Sequence, residues 1–122
     1  MSLRAVRPQR RERVIQAEIL RLLHAHGVVA FGMNRERAGY RRASHIGVKG
    51  LPDIMGWVPV WAIARTQATN VAGACPLFIE VKRPGGKLRP AQETFLAMAR
   101  KDGCVAFKAE SPADVAHELG WT

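Results

Sequence analysis

Leu77-Phe78-Ile79-Glu80-Val81-Lys82, closed by Pro84-Gly85-Gly86 and followed at Pro90 by a helical pattern, is the stretch on which the fold turns. As a strand, this run places Leu77, Ile79 and Val81 on one face and Phe78, Glu80 and Lys82 on the other. The proline and the two glycines end it. Pro90 then serves as the first residue of a helix reaching about Lys101, with Ala91, Phe95 and Ala99 on one stripe and Gly103 as the stop. Residues 104–107 read as a further short strand. Ser111, Pro112 and Asp114 form a capped start for a last helix that runs through Leu119.

Working upstream, residues 10–26 carry Val14, Ile15, Ile19, Leu22 and Leu23 at helical spacing, with Gly27 just beyond. Glu18 stands four residues from both Val14 and Leu22, so this reading expects its carboxylate on or beside the inward face. Residues 28–33 read as a strand and residues 34–50 as a basic loop. A second strand is expected from Asp53 to Trp57. Between Val60 and Cys75 the pattern fits a loop, a hairpin or a short helix equally. The order helix, strands, helix, strand, helix describes an α/β domain.

At 122 residues the chain fits one domain over 1–122, with 1–12 expected as a flexible basic arm. Hydrophobic residues make up 48% and charged residues 24%, a balance that argues against general disorder. The 19 Lys and Arg against 10 Asp and Glu leave a formal charge of +9, which favours a polyanionic partner. Basic residues gather at 4–13, 35–49 and 82–89, and the last two runs flank the acidic residues of interest. Cys75 and Cys104 are the only cysteines, too few for a disulfide framework and without zinc spacing. No stretch has the apolar length of a membrane span, and the first residues lack the apolar middle of a signal peptide. The expectation is a soluble protein of the bacterial cytoplasm or of a phage-infected host, with no membrane partner.

The chemistry-bearing residues are Asp53, after Gly50-Leu51-Pro52, and Glu80 and Lys82. Strand geometry puts Glu80 and Lys82 on one side, and Asp53 on a neighbouring strand can complete a carboxylate pair. Mg²⁺ and Mn²⁺ take oxygen ligands of this kind, with the Val81 carbonyl as a further candidate. Such a cation activates water and offsets charge on a phosphate, while Lys82 orients the nucleophile. Glu18 is a candidate ligand, directly or through water. Gln92, in the first turn of the helix after the strand, is a candidate to hold a water or the Lys82 amine. Alone, an Asp after Pro is an ordinary turn residue and E-x-K an ordinary strand face. Their combination is what points to phosphodiester hydrolysis.

Gly50-Leu51-Pro52-Asp53 with Ile79-Glu80-Val81-Lys82 resembles the PD-(D/E)xK nucleases. More narrowly, the helix bearing Glu18, the motif Lys49 to Asp53, the run Glu80 to Pro84 and Leu88-Arg89-Pro90-Ala91-Gln92 resemble the virus-type replication-repair nuclease, or VRR-NUC, family over roughly residues 14–119. The resemblance implies a restriction-endonuclease-like core, a mixed β-sheet flanked by α-helices, with Mg²⁺ or Mn²⁺ on Asp53 and Glu80. Lys82 matches the family lysine, and Glu18 and Gln92 match accessory positions. Arg89 departs from the small capping residue many relatives carry. Minimal members resemble Holliday-junction resolvases in being homodimers that cut branched or four-way DNA.

Arg35, Arg37, Arg41, Arg42, Lys49, Arg83 and Lys87 are the candidate phosphate contacts. The rival readings are a nuclease that acts on linear duplex DNA and a non-catalytic nucleic-acid-binding module. His24, His26, His45 and His117 lack metal spacing and are read as surface or packing residues.

Overall fold

The computed structural model describes residues 8–33, 49–63 and 72–122, with no side-chain description for residues 8–10. Arg35, Arg37, Arg41, Arg42 and His45, and with them most of the expected basic loop, lie outside the described residues.

Helix α1 spans Pro8–Ala25. Residues 8–12 of the expected arm belong to this helix, and residues 1–7 lie outside the described residues. Strand β1 (Val29–Gly32) and strand β2 (Ile54–Pro59) follow, and the undecided segment opens with a 3-10 turn at Val60–Ala62. Strand β3 (Ala74–Val81), helix α2 (Pro90–Lys101), strand β4 (Val105–Ala109) and helix α3 (Pro112–Glu118) complete the described elements. The last helix is capped as expected, with Ser111 Oγ accepting the Asp114 N–H at 3.2 Å.

The strands form one sheet in the order β1-β2-β3-β4. The first two pairings are antiparallel and β3 pairs parallel with β4, so the sheet is mixed and α2 is the crossover a parallel pair requires. Helices α1 and α3 pack on one face. There Ile19, Leu23, Ile54, Val58, Leu77, Ile79, Val81, Val115 and Leu119 make a nearly solvent-free aliphatic core. Removing each such side chain from water stabilises the fold by about 1.5–3 kcal/mol.

Helix α2 covers the other face only over β3 and β4, with Phe95 edge-on to Phe78 at a centroid distance of 5.2 Å. It buries Gln92 and Leu96, whereas Ala91, Phe95 and Ala99 border an apolar groove of about 600 Å³ that also touches Phe78, Met98 and Cys104. The stripe expected from spacing is therefore rotated toward the groove. Over β1 and β2 the same face keeps Val29, Phe31 (49% exposed) and Trp57 (48% exposed) in contact with solvent.

Both cysteines are free thiols, and among the described residues no helix is long and apolar enough to cross a membrane. His26 stacks on Trp121 at 3.9 Å, and Trp121 Nε1 donates to the Ala62 carbonyl at 2.6 Å, which pins the last residues across the end of the fold. His24 contacts the Ala30 carbonyl through Nε2, a packing role as expected.

Candidate active site

The β2–β3 ladder sets the site. Ile54 pairs with Ile79, so one step further the residue opposite Asp53 is Glu80, and residues opposite one another on neighbouring strands point to the same side. Pro52, which is buried and has no N–H, precedes this last pair. The Asp53 side chain takes over a ladder bond: its Oδ2 accepts the Val81 N–H at 2.9 Å. Its main-chain carbonyl accepts the Met33 N–H at 2.7 Å, so Asp53 is held from both neighbouring strands. The Val81 N–H is thus the group that fixes the Asp53 carboxylate.

Glu80 is only 3% exposed. A carboxylate is tolerated there because donors meet it: Gln92 Nε2 donates to Oε1 at 2.9 Å, and the Lys82 ammonium lies 3.8 Å from the same oxygen. Lys82 is itself largely buried, so the pair sits in a medium where charge interactions are stronger than in water. Gln92 does something other than the expected grip on a water or on Lys82. Its amide N–H positions Glu80, and its Oε1 accepts the Arg89 N–H at 2.8 Å. Arg89 is a pure donor and cannot accept a helix N–H in return, so half a capping box starts α2. The departure at Arg89 costs the other half.

Gly50 ties the loop before Asp53 to the same helix. Its φ is +77°, and a Cβ there would stand 2.3 Å from the Ala91 carbonyl oxygen and 2.9 Å from the Gln92 nitrogen. Only glycine permits this approach. Asp53 and Gln92 are thus positioned by one junction between the loop and the first turn of α2.

The first helix brings a correction. Glu18 is exposed and borders a surface hollow with Arg13, Val14, Ala17 and Arg21, away from the carboxylate pair. The inward stripe runs through Ile15, Ile19 and Leu23, and at roughly 100° per residue Glu18 lies a quarter-turn off it. Val14, which supported the earlier placement, is 55% exposed. Glu12 occupies the stripe instead, seven residues before Ile19 and eleven before Leu23, and its Oε2 accepts the Arg83 N–H at 3.5 Å, next to Lys82. Helical spacing from the two most buried positions was the signal that singles out Glu12.

Among the described residues no cluster of three or more His, Cys, Asp and Glu side chains could hold a metal ion. The candidate set is thus two carboxylates, Asp53 and Glu80. Such a set suits a hard divalent cation that keeps much of its water and shares a substrate phosphate. Of the candidate phosphate contacts, Lys49 and Lys87 are exposed and Arg83 is half-buried. Lys49 borders the apolar groove, which lies beside the carboxylates and is lined by none of Asp53, Glu80 and Lys82.

Searches of curated proteins and of solved structures returned no match. The family model of the VRR-NUC domain matches residues 10–113, a span that contains all four strands, α2 and nearly all of α1, stops at the start of α3, and includes Glu12, Asp53, Glu80, Lys82 and Gln92. With that match the α/β core, the basic charge and the carboxylate pair find a common account: this chain belongs to the VRR-NUC family, a nuclease-type domain whose substrate class is DNA.

Proposed function

We propose that this domain is a Mg²⁺- or Mn²⁺-dependent endodeoxyribonuclease that cuts branched or otherwise structured DNA as a homodimer. The observation that carries the reading is the side-by-side position of Asp53 and Glu80 at the end of the β2–β3 ladder, with Lys82 two residues along the same strand face.

Asp53 and Glu80 would hold the cation, with the Val81 carbonyl and water as further ligands and Glu12 acting through water. A cation so bound lowers the pKa of a coordinated water and offsets charge on the scissile phosphate. Lys82 orients the attacking water and stabilises the added negative charge. Gln92 fixes the Glu80 carboxylate, and Asp53 is fixed by the Val81 N–H. Lys49, Arg83 and Lys87, together with Arg35, Arg37, Arg41 and Arg42, supply phosphate contacts.

Symmetric cutting of a four-way junction requires two sites related by a two-fold axis, and the described residues of one chain bring together a single carboxylate pair. The solvent-facing Val29, Phe31 and Trp57 support self-association, because apolar side chains grouped on a sheet face favour a covered state.

Labelled four-way junctions, flaps and linear duplexes, each incubated with and without Mn²⁺, test the reading. Cleavage should require the metal, favour the branched substrates and fall by about 10²–10³-fold in Lys82→Ala. No cleavage by wild type, or equal cleavage by Lys82→Ala, refutes catalysis. Preference for linear duplex instead assigns a DNA-processing or restriction-like role. Salt-sensitive binding without turnover, unchanged in Asp53→Ala, identifies a binding module. A light-scattering mass of one chain rules out the homodimer.

A further inference from the structure

Beyond the E-x-K strand, the Pro84–Gly86 turn is held by two charged residues, Lys108 within β4 and Glu110 just after its end. Lys108 is the parallel-ladder partner of Glu80, so it stands on the same sheet face as Glu80 and Lys82. Its ammonium is 3.0 Å from Glu110 Oε2 and donates to the Gly86 carbonyl at 3.4 Å. The Gly85 backbone N–H in turn lies close enough to the Glu110 carboxylate to help hold its pKa below the ordinary value. Gly85 has a φ of +80°, and the Gly86 N–H closes the turn on the Arg83 carbonyl at 2.8 Å.

The turn reaches back to Lys82. A Cβ at Gly86 would come within 3.2 Å of the Lys82 Cβ, so the Gly86 backbone forms a wall against the base of that side chain. Lys108 and Glu110 meet the turn at two points on either side of the 85–86 peptide, the Gly86 carbonyl and the Gly85 N–H. We propose that Lys108 and Glu110 form a clamp that positions Lys82 by fixing the Pro84–Gly86 turn.

The clamp rests on the nuclease reading only in so far as Lys82 acts in catalysis. It differs from a phosphate contact by Lys108 and from an incidental surface ion pair, which contributes little on its own. A phosphate contact would be weakened by Lys108→Met and strengthened by Glu110→Gln, since the two substitutions change charge in opposite senses. A clamp loses function in the same sense with either.

The experiment compares Lys108→Met, Glu110→Gln, the double variant and Lys108→Arg. The readouts are single-turnover cleavage at saturating DNA, affinity for the same labelled DNA across a salt series, and NMR shifts of the Gly85 amide and the Lys82 side-chain methylenes. Each single variant is expected to lower the turnover rate about tenfold at unchanged affinity, because small displacements of a reacting group cost large factors in rate. The double variant should lose no more than either single one, and Lys108→Arg should recover most of the rate. Unchanged turnover in both single variants, or a loss confined to Lys108→Met through weaker and less salt-dependent binding, overturns the clamp. If wild type cleaves nothing, the nuclease reading fails separately. The clamp then stands only if the Lys82 methylene resonances move in both Lys108→Met and Glu110→Gln.

Discussion

On one face of β3, Leu77, Ile79 and Val81 are fully enclosed by aliphatic side chains from α1, α3 and the other strands. On the other face, Phe78 and Glu80 lie beneath α2, and Glu80 meets Gln92 and Lys82. Burial is comparable at Ile79 and Glu80, yet the physical demands are opposite. The aliphatic face is non-directional and asks for volume, so a substitution that conserves size is tolerated there. The polar face asks for donors and charge at fixed distances, and a substitution that conserves shape is damaging because it changes neither volume nor contact but removes the charge.

The contrast breaks most visibly on the polar side. Asp53→Asn, Glu80→Gln and Lys82→Ala should each reduce single-turnover cleavage by about 10²–10³-fold, the scale of losing one electrostatic contributor in a transition state. Circular dichroism should show the fold retained. The aliphatic side should invert this pattern. Ile79→Ala is expected to lower stability by about 2–5 kcal/mol in a denaturant titration, while the folded fraction still cleaves. Ile79→Leu should cost less than about 1.5 kcal/mol.

Gln92→Leu sharpens the comparison from within α2. Loss of the Glu80 contact should reduce cleavage about 10- to 100-fold, and loss of the bond to Arg89 N–H should cost about 1 kcal/mol of stability. On α1, Glu12→Gln should lower the rate by about tenfold, whereas Glu18→Gln should leave it unchanged. Equal effects of these two substitutions would return Glu18 to the site.

The smallest effect concerns pH. Its hydrogen bond to Lys108, followed by that from the Gly85 N–H, holds the Glu110 carboxyl below its ordinary value of 4.5. A depressed carboxyl stabilises the fold above its unfolded pKa and loses that contribution as pH falls through the folded value. Denaturation midpoints of wild type and Glu110→Gln should therefore differ at neutral pH and converge in the acid range below 4.5.

What could be read from the chain follows the strength of local signals. Asp53, Glu80 and Lys82 were legible because a period-two strand, a proline and a Gly/Pro turn fix register and direction over a few residues. The bounds of α2 were legible because Pro90 and Gly103 mark its ends. Its buried side was not: a polar Gln92 faces inward only because Glu80 waits beneath it, and that pairing spans two elements. Glu18 was misplaced through Val14, an apolar residue that faces solvent, while Glu12 sat in line with Ile19 and Leu23. The covered and open halves of the outer sheet face depend on where α2 lands, which no local pattern encodes.

Gly50 has no side chain, yet the loop bearing Asp53 and the helix bearing Gln92 touch through it. In a saturation-mutagenesis screen for nuclease activity, position 50 should therefore score as intolerant as the acidic pair. A screen of that kind would mark as essential a residue that never meets the substrate.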